Sequence, residues 1–76
     1  MAQFTLSLQS FAQVRAFVTL VTTMPFSVLV SDGHQQVNGT SFIAMVCLDF
    51  TRPLTVNCTG SEENCLLLQQ RLAEVL

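Results

Sequence analysis

Phe26-Ser27-Val28-Leu29-Val30-Ser31-Asp32-Gly33 is the stretch on which the fold turns. Phe26, Val28 and Val30 alternate with Ser27, Leu29 and Ser31, the period of two that marks a half-buried strand. Asp32-Gly33 follows as a hairpin signal, since glycine takes the left-handed backbone that tight hairpins need. The return strand, about His34 to Gly39, is polar and is predicted to lie on a sheet edge. One antiparallel pair is thereby fixed.

Working outward toward the N-terminus, Phe4, Leu6 and Leu8 alternate with Thr5 and Ser7, a second strand. The period then lengthens. Phe11, Val14, Phe17, Val18, Val21 and Met24 fall at helical spacing, and their shared face is predicted to be buried. Ser10-Phe11-Ala12-Gln13 is an S-x-x-Q capping box, and Pro25 closes the helix from the far end. Toward the C-terminus, Thr40 or Ser41 caps a short helix running to about Asp49, and Thr51-Arg52-Pro53 makes a turn. Leu54, Val56 and Cys58 mark the last strand. Thr59-Gly60-Ser61 leads into a helix with Glu62 and Glu63 in its first turn, where acids suit the helix dipole. Its predicted buried stripe is Cys65, Leu68, Leu72 and Val75. The order β-α-β-β-α-β-α predicts a single two-layer α+β domain over residues 1–76, with helices covering one face of an antiparallel sheet.

Composition narrows the function classes. Half of the 76 residues are hydrophobic and 11% are charged, with a net charge of −2. The only cations are Arg15, Arg52 and Arg71, spread along the chain, so the clustered positive charge of a nucleic-acid surface is missing. The longest unbroken apolar run, Phe42 to Leu48, is seven residues, against about 18 for a spanning helix. No basic leader opens the chain, and three cysteines without a CxxC pair read as reduced thiols. A cytoplasmic protein without membrane contact is expected. So few charges on so apolar a chain also predict exposed hydrophobic surface that meets a partner.

One stretch, Val37-Asn38-Gly39-Thr40-Ser41-Phe42-Ile43-Ala44-Met45-Val46-Cys47-Leu48, carries a resemblance. Together with Gln13-Val14-Arg15-Ala16-Phe17-Val18 and Thr59-Gly60-Ser61-Glu62-Glu63-Asn64, it resembles HPr, the phosphocarrier of the bacterial phosphoenolpyruvate:sugar phosphotransferase system. The resemblance implies an open-faced sandwich with strand order 1-4-2-3. It also implies that Ser41 matches the family's regulatory phosphoserine and that Phe42, Ile43 and Val46 match its exposed apolar contacts. The departures carry equal weight. Ser10 stands at the helix cap where the family keeps its phosphate-accepting histidine, and no arginine follows closely. A serine ester lacks the labile N–P bond that lets phosphate move onward, so no catalytic residue is assigned. The pattern is nearest to Crh-type members, which lack the active histidine and serve catabolite regulation. A phosphotransferase-system enzyme, a serine kinase or a transcription regulator are the protein partners this implies. The alternatives are phosphate transfer through an unconventional acceptor, Ser10 or His34, and a homo-oligomeric structural domain unrelated to sugar transport.

The remaining polar residues have plain readings. Ser41 as a simple cap competes with Ser41 as a phosphosite, because serines cap helices routinely. His34 beside Asp32 reads as a solvated turn residue, with no further ligands in pattern. Glu62 and Glu63 are adjacent on a helix and point apart. Cys58 and Cys65 read as small core residues. No metal and no cofactor is predicted.

Overall fold

Strict alternation at Val28–Val30 and Leu54–Cys58 places these two strands at the centre of the sheet, where every apolar side chain can be covered. The computed structural model describes residues 2–76. Its elements are β1 (Ala2–Leu6), α1 (Phe11–Thr22), β2 (Val28–Ser31), β3 (Gln36–Asn38), α2 (Phe42–Val46), β4 (Leu54–Cys58) and α3 (Glu62–Val75). The four strands form one antiparallel sheet in the order β1-β4-β2-β3, the open-faced sandwich expected from the sequence. β3 is the outer edge beside β2, as its polar sequence predicts.

Register sorts the two faces. Phe4, Val56, Val30 and Val37 lie in one row across the sheet, and Leu6 faces Leu54. These point toward the helices, and Val28, Val30, Leu54, Val56 and Cys58 are fully buried there. The opposite face is uncharged and, apart from Leu29, polar, with one row of Gln3, Asn57, Leu29 and Asn38 and another of Thr5, Thr55, Ser31 and Gln36. Phe17 of α1, Met45 of α2 and Leu68 of α3 fill the layer between sheet and helices. Gly39 is buried in a narrow gap between β2 and α1. A Cβ there would lie 3.2 Å from the Val28 carbonyl oxygen and 3.4 Å from Phe17 Cε1, so a side chain would push α1 from the sheet.

Several expected boundaries and faces shift for local reasons. β1 ends at Leu6, although Leu8 beyond it is buried as the alternation predicts. α1 stops at Thr22, ahead of Pro25, and Met24 packs on the core from outside the helix. Phe11, expected on the buried stripe, is 70% exposed. At about 3.6 residues per turn it lies above Arg15, on the flank of the stripe formed by Val14, Phe17 and Val21. Val75, also expected inside, is exposed in the last turn of α3. β3 begins at Gln36 and not at His34, and α2 ends at Val46, short of Asp49. Both of these shortenings trace to Asp32, described next. No described helix is long and apolar enough to cross a membrane.

Candidate functional site

The register brings three connections to one end of the sheet. Leu6, the last residue of β1, faces Leu54, the first of β4, and Thr55 faces Ser31, the last of β2. Residues 7–10, 32–35 and 47–53 therefore leave the sheet together. Asp32 ties two of them. Its Oδ1 accepts N–H donors from His34 at 2.8 Å and Gln35 at 2.9 Å, and its Oδ2 accepts the Asp49 N–H at 3.0 Å. These bonds occupy the backbone donors that would otherwise extend β3 backward and α2 forward. Gln35 Nε2 adds a bond to the Cys47 carbonyl at 3.3 Å. The Asp49, Gln35 and His34 amides hold the Asp32 carboxyl down at about 2, against an ordinary 3.8. Asp49 is lowered as well, chiefly because the Thr51 hydroxyl donates to its carboxylate at 2.6 Å.

The third connection presents Ser10. Its extended backbone makes it the N-cap of α1, and its Oγ accepts the Gln13 N–H at 3.2 Å. The box is offset by one residue from its usual form, for Gln13 Oε1 accepts from the Gln9 amide, at 2.6 Å, and not from Ser10. Phe11 follows and divides two open recesses. One, of about 420 Å³, is lined by Leu8, Gln9, Ser10, Phe11, Val14 and Phe50. The other, of about 700 Å³, runs along the outer face of α1 past Arg15, Ala16 and Leu20 to Val75. His34 lines neither. It is exposed in the β2–β3 loop, and its backbone N–H is spent on Asp32.

Ser41 caps α2 as expected, its Oγ accepting the Ala44 N–H at 3.4 Å, and it is half-buried. Of the three residues expected to point outward from α2, one does so fully. Ile43 is 74% exposed, whereas Phe42 and Val46 are half-buried against the core. The helix geometry explains the split: Ile43 stands opposite Met45, which is wholly inside, while Phe42 and Val46 occupy the flanks. α2 packs against both α1 and β3, so those flanks are covered.

Cys58 and Cys65 are buried as predicted, and Cys47 is exposed. Among the described residues, no three His, Cys, Asp or Glu side chains gather closely enough to hold a metal ion. Sequence reasoning missed the anchoring carboxylate of Asp32, the exposure of Phe11 and the half-buried Phe50 beside it at one recess. An Asp before Gly is a signal for side-chain bonding to nearby amides as well as for a turn. Phe50 carries no periodic signal, because it lies in a connection. Comparison with family models and with curated proteins finds no match for this chain.

Proposed function

We propose that this chain is a regulatory, protein-binding module related to HPr, without the phosphate-accepting histidine, that works in the cytoplasm and carries Ser41 as its phosphorylation site. The observation that supports this reading most is Phe11. It stands 70% exposed beside Ser10, between two apolar recesses, at the helix start where the family keeps its histidine. An exposed aromatic at such a place is an anchor for a protein partner and no aid to phosphate transfer. The strand order and the capping role of Ser41 agree with the same reading. Ile43 is the second anchor, and the exposed Arg15 supplies a charge for the partner to meet.

Two incubations test it. With ATP and an HPr-type serine kinase, intact mass should show one phosphoryl group, absent in Ser41→Ala. Phe11→Glu and Ile43→Glu should each raise the kinase's KM for the chain by about tenfold, the cost of removing one anchor. With phosphoenolpyruvate and enzyme I, no acid-labile phosphoryl group should appear. Its appearance on Ser10 or His34 would replace this reading with a working carrier.

A second reading rests on α3, whose outer surface exposes the neighbouring Leu66 and Leu67. Self-association through that surface makes the chain a structural domain. Sedimentation across a concentration series decides: a monomer throughout removes it, and a dimer lost in Leu66→Glu or Leu67→Glu establishes it.

A further inference from the structure

β1 is the edge of the sheet on the side away from β3. Its residues, Ala2–Leu6, include no charge and no proline, the devices that ordinarily close an edge to further strands. The ladder shows which backbone groups look outward. The Thr59 N–H donates to the Ser27 carbonyl at 3.0 Å, so Thr59 bonds toward β2. By alternation Asn57 and Thr55 also bond toward β2, while Val56 and Leu54 bond toward β1. Phe4 and Leu6 therefore spend their amides and carbonyls on β4, and those of the exposed Gln3 and Thr5 point off the edge.

α3 lies along the same edge on the helix side. Glu62, Leu66, Gln69, Ala73 and Leu76 recur at helical spacing and form the stripe that looks onto it. Two recesses open in succession between strand and stripe. One, of about 200 Å³, is bounded by Phe4, Leu6, Leu72, Ala73 and Leu76. The other, of about 330 Å³, lies toward the start of β1, where Gln3 meets Glu62, Leu66 and Gln69. Phe4 and Leu6 face inward like Val56 and Leu54, yet they stay half-buried where those two are fully covered, because the strand has a neighbour on one side only.

We propose that this groove takes up an extended peptide of a partner protein as a further antiparallel strand against β1, of the pattern apolar-x-apolar-x-basic. Gln3 and Thr5 exchange backbone hydrogen bonds with the two x residues, the mode of strand addition to a sheet edge. The alternate side chains then turn toward α3. The two apolar ones stand opposite Leu6 and Phe4 and fill the first recess. The basic one, last in an antiparallel strand, comes level with the second recess and meets the Glu62 carboxylate. Charge selects this occupant over a second copy of the chain, because neither β1 nor the α3 stripe holds a cation for Glu62 to meet. The proposal is independent of Ser41 and of the HPr-like reading.

The test is fluorescence polarisation with the intact chain and a labelled, end-blocked Leu-Thr-Val-Thr-Lys peptide. Saturable binding is expected, and hydrogen exchange at the Gln3 and Thr5 amides should slow as the peptide saturates. N-methylation of the two threonine amides, which removes the backbone donors and keeps every side chain, should abolish binding. Replacing the peptide's lysine by glutamate should weaken binding about fivefold, the scale of one exposed ion pair, and Glu62→Lys should restore it. No binding up to about 1 mM peptide overturns the proposal. Binding indifferent to N-methylation also does, since side chains alone would then be captured, and so does equal affinity for the lysine and glutamate peptides. A dimer by sedimentation, with the Gln3 and Thr5 amides already protected, overturns it too and puts a second copy on the edge. The peptide changes decide by themselves if Glu62→Lys fails to fold.

Discussion

Asp32 shows how much one side chain can fix. It accepts three backbone N–H donors drawn from two connections, and no cation is among its hydrogen-bond partners. Its folded-state value of about 2 lies below the ordinary 3.8, so its contribution to stability is complete above pH 3.8 and disappears as pH falls toward 2. Asp32→Asn should lower the melting temperature at pH 7, and the gap to the unaltered protein should close in melts taken down to pH 2. A constant gap would mean that the charge is irrelevant. Phe17, wholly buried between α1 and Gly39, is the contrasting case of pure packing. Phe17→Ala should cost about 3–5 kcal/mol by urea denaturation. Against a total of about 5–15 kcal/mol for a domain, that is enough to leave a chain of this size barely folded. Gly60 has φ +95°, and a Cβ there would come within 2.7 Å of Asn64 Nδ2, so Gly60→Ala should cost roughly 1–2 kcal/mol in the same experiment.

At the scale of elements, periodicity made β1, α1, β2, β4 and α3 legible, because each buries one face, while β3 followed from the hairpin signal and α2 from its cap. Their ends were less legible. The limit of β3 depends on the Asp32 carboxylate bonding the nearby His34 and Gln35 amides, while that of α2 depends on its bond to Asp49, distant in sequence, which no local pattern reports. Phe11 and Val75 matched the spacing of their stripes, yet each lies in a terminal turn on the flank, where spacing alone does not separate covered from exposed. α2 gives a direct check. It has five residues, so its Ser41 cap matters, and Ser41→Ala should cost about 1 kcal/mol. Ile43→Asp should leave stability within about 0.5 kcal/mol, as for other exposed positions. Phe42→Asp and Val46→Asp should destabilise clearly in parallel thermal melts, because their flanks are packed. Equal effects at all three positions would contradict this arrangement of the helix.

At the scale of the molecule, the sheet order was expected through the resemblance carried by residues 37–48, since composition alone names no order. The candidate site was half visible. Ser10, Ser41 and Ile43 stand where the sequence placed them, but the recess between Phe11 and Phe50 exists only once residues 7–10 and 47–53 are gathered at one end of the sheet. The same order has a consequence for synthesis. β4 lies between β1 and β2, which have no contact with each other in the sheet, and it is the last strand to be made. A nascent chain that has produced everything up to Pro53 holds one hairpin and an unattached first strand, so the sheet closes only after the central strand emerges. Such long-range pairing slows folding. A fragment of residues 1–53 should accordingly show the far-ultraviolet circular dichroism of an unfolded chain, and adding residues 54–76 as a separate peptide should restore the strand signal.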